Sequence, residues 1–180
     1  MNLVAGIKRH LGKFEMTYRQ GNINDLFGLK KLAIKSWTPF QSELTTENWQ
    51  SLFDTINSDK TYLQLIENSH CIVCENESGE IIGMAFLVPQ GNPTEIYDEK
   101  WCYIRFVSVN PEFGGKGIGR NLTEKCIQFA IDNKEQTIAL HTSEMMDKAR
   151  HIYESLGFKI LKEIDQRLGK KYWLYTRDIV

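Results

Sequence analysis

The stretch that decides the fold of this 180-residue chain reads Val107-Ser108-Val109-Asn110-Pro111-Glu112-Phe113-Gly114-Gly115-Lys116-Gly117-Ile118-Gly119-Arg120. A strand pattern ends at its Asn-Pro dipeptide, and four glycines then fall within six residues. Apolar residues at helical spacing follow at once and predict a helix over residues 117–131. The sequence therefore predicts a strand, a glycine-rich turn and a helix in immediate succession.

This turn has the chemistry of an anion-binding cradle. Glycine lets backbone N–H groups converge without a Cβ atom in the way, and a helix N-terminus adds unpaired donors and partial positive charge. Lys116 and Arg120 add positive side chains nearby, so the turn is predicted to hold a phosphate or diphosphate. A P-loop is excluded because no Ser or Thr follows Lys116. A dinucleotide fingerprint is weak because Arg120 replaces its third glycine.

Length and composition place the chain among ordinary globular domains. Apolar residues make up 42 % and charged residues 25 %, and 22 basic against 23 acidic residues give a net charge of −1. This balance argues against a dedicated binder of nucleic acid or of anionic membranes. We predict a leader over residues 1–13 and one domain over residues 14–180. The N-terminus does not read as a secretory signal, so we expect cytoplasmic residence and reduced cysteines.

The cysteines do not predict a metal site. Cys71 and Cys74 have CxxC spacing within a strand pattern, which turns their side chains to opposite faces. No second Cys/His pair is spaced to complete a zinc site with them. We interpret both as core thiols, and Cys126 likewise because it lies on the apolar face of a predicted helix.

Strand and helix patterns alternate along the chain and predict a mixed α/β domain. Strands are predicted over residues 15–19, 71–75, 80–88, 101–109, 137–141, 158–161 and 171–176. Helical stripes begin near Asn22, Thr45 or Thr46, Gly117 and Ala149. The run over residues 80–88 is apolar on both faces, which predicts a central strand that is covered on both sides.

A second motif follows the turn, after an intervening strand, and reads Ala149-Arg-His-Ile-Tyr153-Glu-Ser-Leu-Gly157-Phe158. With the Val-Ser-Val-Asn-Pro segment and the turn of residues 114–120, it resembles the GNAT superfamily of acyl-CoA-dependent N-acetyltransferases. The resemblance covers residues 14–180 in element order and is sharpest over residues 101–160. It implies an α/β (α+β) fold: a central mixed, mostly antiparallel twisted sheet of six to seven strands, flanked by about four helices, with two splayed central strands.

The resemblance also implies acetyl-CoA as co-substrate. Its pantetheine arm is expected between the strands over residues 101–109 and 137–141. The implied cofactor-binding residues are Val107, Ser108, Val109, Gly114, Gly115, Lys116, Gly117, Ile118, Gly119, Arg120, Met146 and Ala149. Gly114 stands where the family usually has a long polar side chain, and Met146 where it often has Asn. No polar side-chain contact is therefore expected from either position.

Three residues are candidates for the chemistry. Tyr153 matches the family's general acid, and a phenol with a pKa near 10 can protonate the departing thiolate. Its alternative role is packing within an apolar stripe. The strand before the turn carries no acid, so Glu144 and His141 are the candidates for the general base. Each has a structural alternative, and a water chain to bulk solvent also stays open.

The function implied is transfer of an acetyl group from acetyl-CoA to a primary amine by direct attack on the thioester. The alternative is a non-catalytic acyl-CoA-binding regulatory module. Polyamines, amino acids, antibiotics and protein amines all stay open as acceptors, and so does a homodimer. Neither nucleic acid nor membrane is expected as a partner. Acidic residues such as Glu95, Asp98 and Glu99, and aromatic residues such as Trp37 and Tyr97, are candidates for the acceptor site.

Overall fold

The computed structural model describes residues 15–179, so the predicted leader over residues 1–13 lies outside the described residues. Seven strands and five α-helices occur in the described range. The strands are β1 (Thr17–Gln20), β2 (His70–Glu75), β3 (Ile81–Val88), β4 (Trp101–Val109), β5 (Thr137–Ser143), β6 (Lys159–Arg167) and β7 (Lys170–Asp178). The helices are α1 (Leu26–Trp37), α2 (Thr46–Ile56), α3 (Asp59–Asn68), α4 (Ile118–Asp132) and α5 (Asp147–Ser155).

All seven strands belong to one sheet, in the order β1-β2-β3-β4-β5-β7-β6. Neighbouring strands are antiparallel except β4 and β5, which run parallel. A parallel pair needs a crossover connection, and α4 lies in the segment that joins β4 to β5. The predicted fold class, a mixed and mostly antiparallel sheet with flanking helices, is confirmed.

Helices cover both faces of the sheet. One apolar cluster, here called the α1–α3 cluster, joins those helices to the sheet and includes Leu29 and Phe86. The other, the α4–α5 cluster, lies on the opposite face and includes Ile82 and Leu122. β3 contributes to both clusters and is buried along its whole length, which explains why its sequence lacks a polar face. The prediction of a covered central strand is confirmed.

The four cysteines of the chain are buried free thiols. Cys71 belongs to the α1–α3 cluster and Cys74 to the α4–α5 cluster, because their odd spacing of three residues along β2 turns the two side chains to opposite faces of the sheet. Cys126 lies with Cys74 in the α4–α5 cluster. Their interpretation as core thiols is confirmed.

The structure has one helix more than the sequence patterns predict. In the described part of α3 only Tyr62 is buried, and its hydroxyl donates to the carbonyl of Ile56 at 2.8 Å. Leu63 is exposed, so the apolar residues of α3 are not confined to one face of the helix. The sequence therefore gives only a weak helical pattern there. None of the helices described between residues 15 and 179 combines the length and apolar character that crossing a bilayer requires.

Two irregular backbone positions shape the side of the sheet that faces α1 and α2. The register between β3 and β4 shifts beside Met84, and Phe106 in this part of β4 has a φ of 53°. In the turn between β6 and β7, Leu168 has a φ of 55° and Gly169 a φ of 71°. Residues other than glycine rarely adopt positive φ, so the packing around Phe106 and Leu168 must hold them in this conformation.

Candidate active site

β4 and β5 diverge after a short paired segment. Their pairing runs from Trp101 and Thr137 to Tyr103 and Ala139, and no later pair between them occurs in residues 15–179. β4 nevertheless continues to Val109. Backbone N–H and C=O groups on the facing edges are therefore left without strand partners beyond the paired segment. The predicted splay of the two central strands is confirmed.

A cavity of about 280 Å³ opens between the diverging strands. Residues 104–108 of β4 and 140–142 of β5 form its sides, and α1 and α2 cover it with Trp37, Leu52 and Ile56. Its further lining comes from Ser51, Thr55, Met146, Tyr153, Arg167, Leu168 and Tyr172. The lining residues described here include no Asp or Glu.

The glycine-rich turn begins where β4 ends. Asn110 is buried, and its side chain accepts a hydrogen bond from the N–H of Glu112 at 3.0 Å, which starts a 3₁₀ turn over Pro111–Phe113. Gly115 and Gly117 have φ of 75° and 78°, and a Cβ atom on either would meet open space. Within the described residues, no side chain caps the first N–H groups of α4. The turn and the helix N-terminus are thus left with backbone donors for an anion.

The two basic side chains of the turn have neighbours of their own. Lys116 Nζ lies 4.9 Å from the centroid of the Phe113 ring. Arg120 donates to Ser155 Oγ at 2.8 Å and forms an ion pair with Glu124 at 2.9 Å. The backbone of the turn therefore offers donors for an anion that do not depend on these two side chains.

Residues 107–109 join the turn to the cavity. Val107 and Val109 pack against the α4–α5 cluster, and Ser108 is buried. Val107 and Ser108 line the cavity. A Cβ atom on Gly119 would lie 3.6 Å from Val109 Cγ2, which is ordinary contact, so strand and turn touch directly.

Tyr153 reaches the cavity from α5. It is 7 % exposed, and its ring packs edge-on against Phe158 with 6.0 Å between centroids. Its hydroxyl has no hydrogen-bond partner among residues 15–179. Burial raises the pKa of this phenol above its ordinary value, so the hydroxyl is protonated near neutral pH. Met146 also lines the cavity, and Ala149 packs against the adjoining α4–α5 cluster.

Comparison with known proteins agrees with this geometry. The sequence profile of the Acetyltransferase (GNAT) family matches residues 31–158, well over half of the chain. The chain belongs to the GNAT family. The resemblance read from the two motifs is therefore confirmed.

Curated relatives of this GNAT chain are longer proteins. N-acetyltransferase 8B from Homo sapiens is 32 % identical over 128 residues, which are 71 % of this chain and 52 % of that protein. N-acetylaspartate synthetase from Xenopus tropicalis is 31 % identical over 90 residues, which are 50 % of this chain and 31 % of that protein. The chain thus spans about half the length, or less, of these relatives.

Solved structures share the GNAT fold at low sequence identity. The PaiA N-acetyltransferase from Thermoplasma acidophilum, solved in complex with coenzyme A, has a TM-score of 0.74 at 17 % identity, over 91 % of this chain and 99 % of that one. The ribosomal-protein-S18-alanine N-acetyltransferase from Escherichia coli has a TM-score of 0.67 at 17 % identity, over 92 % of this chain and 94 % of that one. At such identities the likeness concerns the fold alone.

His141 lies on the cavity side of β5 in this GNAT fold. Its Nδ1 is 2.6 Å from the hydroxyl of Tyr97, a residue of the long loop between β3 and β4. Burial, followed by the positive charges of Arg105 and Arg167, lowers the pKa of His141 from 6.5 to about 3. The imidazole is therefore neutral over the whole physiological range.

The depressed pKa of His141 predicts a loss of stability in acid. An unfolded histidine takes up a proton as the pH falls below about 6.5, whereas His141 in the folded protein resists protonation down to about 3. The contribution of this residue to the free energy of unfolding is fully present above pH 6.5. It falls progressively below that pH, by ~2 kcal/mol between pH 7 and pH 5. Urea unfolding at both pH values measures the change.

A matched pair of variants isolates this contribution. In His141→Asn the amide oxygen can take the place of Nδ1 opposite Tyr97, so the variant should lose less stability than the wild type between pH 7 and pH 5. His151→Asn, on the exposed face of α5, should behave like the wild type. Equal losses in the wild type and His141→Asn would contradict the depressed pKa.

Glu144 lies apart from the cavity. Its side chain is exposed, and its carboxylate accepts a hydrogen bond from the N–H of Lys171 at 3.0 Å. Its own N–H donates to the carbonyl of Lys171 at 3.1 Å. The structure therefore brings Tyr153 and His141 to one cavity and places Glu144 beyond the end of β5, beside β7.

Sequence reasoning missed the two arginines of the cavity, Arg105 and Arg167. The candidate acidic residues Glu95, Asp98 and Glu99 are exposed in their loop and do not line the cavity. Among the candidate aromatic residues Trp37 lines it, whereas Tyr97 is buried behind His141. The residue after each arginine has a positive φ, and the strand pattern of the sequence gives no sign of this. No signal in the sequence brings these two arginines together.

Proposed function

We propose that this chain transfers an acetyl group from acetyl-CoA to a primary amine by direct attack of the amine on the thioester. The observation that carries the proposal is the cavity between diverging β4 and β5, with a glycine-rich anion cradle beside it and Tyr153 within it. The names of the curated relatives, N-acetyltransferase 8B and N-acetylaspartate synthetase, are consistent with transfer to nitrogen.

The residues present fit coenzyme A. Unpaired main-chain groups of residues 104–109 can pair with the amides of a pantetheine arm, as an added strand would. The N–H groups of residues 114–120 can receive the diphosphate, and Gly115 and Gly117 leave open space there. Acetyl-CoA supplies an activated acyl group on sulfur. Val107 and Ser108 of β4 would contribute main-chain contacts to its arm, and Met146 and Ala149 apolar contacts at the start of α5.

The cavity residues divide the remaining work. A main-chain N–H of residues 107–109 would donate to the oxygen that becomes negative as the amine nitrogen bonds to the carbonyl carbon. Tyr153 would donate its proton to the thiolate sulfur as the C–S bond breaks, and would regain a proton from solvent. Burial keeps the phenol protonated at neutral pH but also makes it a weaker acid, so the proposed role rests on the position of Tyr153 in the cavity.

Proton removal from the amine needs no strong base if the amine binds in its neutral form. His141 lines the cavity, whereas the Glu144 carboxylate is bonded outside it. A pKa of about 3 makes His141 a weak base. We therefore propose that the acceptor binds as the neutral amine, and that His141 or a water passes the released proton to solvent.

A thiol-release assay tests the proposal. The chain is incubated with acetyl-CoA and a panel of primary amines, and free CoA thiol is measured together with acetyl-CoA binding by calorimetry. Amine-dependent thiol release is expected. Binding of acetyl-CoA without release by any amine would favour the non-catalytic regulatory module, and absence of binding would contradict both.

We propose a cytoplasmic location for this reaction. The four buried cysteines are free thiols, as expected in a reducing compartment.

A further inference from the structure

The cavity holds two positive side chains that acetyl transfer itself does not require. Arg105 comes from β4 and Arg167 from the end of β6, and both line the cavity. Neither guanidinium forms an ion pair or a hydrogen bond with another residue in the range 15–179. Arg105 lies over the Phe106 ring, with 5.4 Å from its central carbon to the ring centroid. Their charges also act on His141 from both sides of the gap.

No carboxylate in the described lining compensates this charge. Hydroxyl groups of Ser51, Thr55 and Tyr172 are the polar neighbours on the acceptor side, and Trp37 and Leu52 add apolar surface. Arg105 is partly buried, and a guanidinium taken partly out of water without an anion is unfavourable. Arg167 is exposed and adds a second positive charge at the edge of the cavity, so the two together favour a ligand that brings negative charge.

Unusual backbone conformations next to both arginines fix where their side chains begin. Three non-glycine residues between residues 15 and 179 have positive φ, and two of them, Phe106 and Leu168, directly follow Arg105 and Arg167. Both pack against the α1–α3 cluster. A Cβ atom on Gly169 would lie 3.0 Å from Asn48 Nδ2, so the tip of the β6–β7 hairpin lies directly against α2. Strain of this kind persists where packing enforces it and gathers at ligand sites.

We propose that the acceptor is a primary amine that also carries a carboxylate, an amino acid or a close derivative, and that Arg105 and Arg167 bind this carboxylate. The planar fork of guanidinium donors matches a carboxylate. Trp37 and Leu52 suit an apolar side chain on the same molecule. Polyamines, by contrast, would bring further positive charge toward both arginines. This inference rests on the proposed acetyl transfer.

Paired acceptors test the carboxylate directly. The nineteen standard amino acids with a primary α-amine and their carboxamides are compared by kcat/KM for thiol release. Each acid-to-amide ratio is measured in the wild type and in Arg105→Met and Arg167→Met. Each ratio uses the same two amines, so differences in amine basicity cancel between variants. We expect the wild type to favour the acid, and each Met variant to lower the ratio roughly 10- to 100-fold.

Further variants separate charge from folding. Arg105→Lys and Arg167→Lys keep the charge but lose the fork, so they should lie between the wild type and the Met variants. Arg177→Met removes an arginine of β7 that does not line the cavity and should leave the ratio unchanged. Thermal unfolding checks that every variant is folded, and calorimetry should give an unchanged Kd for acetyl-CoA.

Three results would overturn the inference. Ratios unchanged in both Met variants would leave the arginines without a role toward the acceptor, and turnover that prefers spermidine to every amino acid would exclude the carboxylate. A weakened Kd for acetyl-CoA in both Met variants would assign the arginines to the cofactor. In each case turnover persists, so acetyl transfer itself still stands. Absence of thiol release with every amine would instead remove the proposed function, and this inference with it.

Discussion

Replacing Tyr153 by phenylalanine is expected to lower kcat for acetyl transfer roughly 10²- to 10⁴-fold, the range that a general acid usually contributes. The hydroxyl lies in the cavity and has no partner among residues 15–179, so its loss removes the proton donor and little else. The ring that packs against Phe158 is kept, and the Kd for acetyl-CoA should therefore not change. Thiol release and calorimetric titration measure the two quantities.

Tyr175→Phe is the matched control for this prediction. Tyr175 belongs to the same α4–α5 cluster, but its hydroxyl donates to Glu154 at 2.9 Å and accepts from Arg150 at 3.3 Å. Its loss should cost about 1 kcal/mol of unfolding free energy and leave kcat unchanged. Tyr153→Phe should show the reverse pattern. A wild-type rate in Tyr153→Phe with its true acceptor would reduce Tyr153 to a packing residue.

Replacing Gly117 by aspartate is expected to raise the Kd for acetyl-CoA at least tenfold, or about 1.4 kcal/mol. A Cβ atom at this position meets open space, so the carboxylate enters the cradle without a steric conflict. There its negative charge opposes the diphosphate. Isothermal titration of acetyl-CoA measures the effect.

Gly117→Asn supplies the control, because Asn and Asp tolerate the left-handed conformation of Gly117, with its φ of 78°, about equally well. The two variants then differ in charge alone. Acetyl-pantetheine, which lacks the diphosphate, should bind both variants equally. Equal Kd values for acetyl-CoA in the Asn and Asp variants would mean that the diphosphate does not bind at this turn.

Much of the fold could be predicted because its signals are local. The apolar run of β3 identifies a strand covered on both faces, and the dipeptide Asn110-Pro111 marks the end of β4. Glycines after that point predict a turn and a helix start, and α4 begins at Ile118. The order of two motifs then identified the family and, with it, the divergence of β4 and β5.

The residues that give the cavity its charge could not be predicted, because they meet only in three dimensions. Arg167 lies at the end of β6 and lines the cavity, where the tip of the β6–β7 hairpin lies against α2. Arg105 belongs to a strand whose alternation is interrupted at Phe106. The low pKa of His141 depends on both arginines and on burial, which no single stretch of sequence records.

The pairing between β4 and β5 is so short that the sheet divides into two groups of strands. A group of four strands, β1 to β4, and a group of three, β5 to β7, are joined edge to edge by three residue pairs at one end. A molecule that pairs with both open edges would link the two groups of strands. If acetyl-CoA pairs there as proposed, its binding would add to the α4–α5 cluster, which already packs against strands of both groups, and would stabilise the folded chain according to its free concentration relative to its Kd.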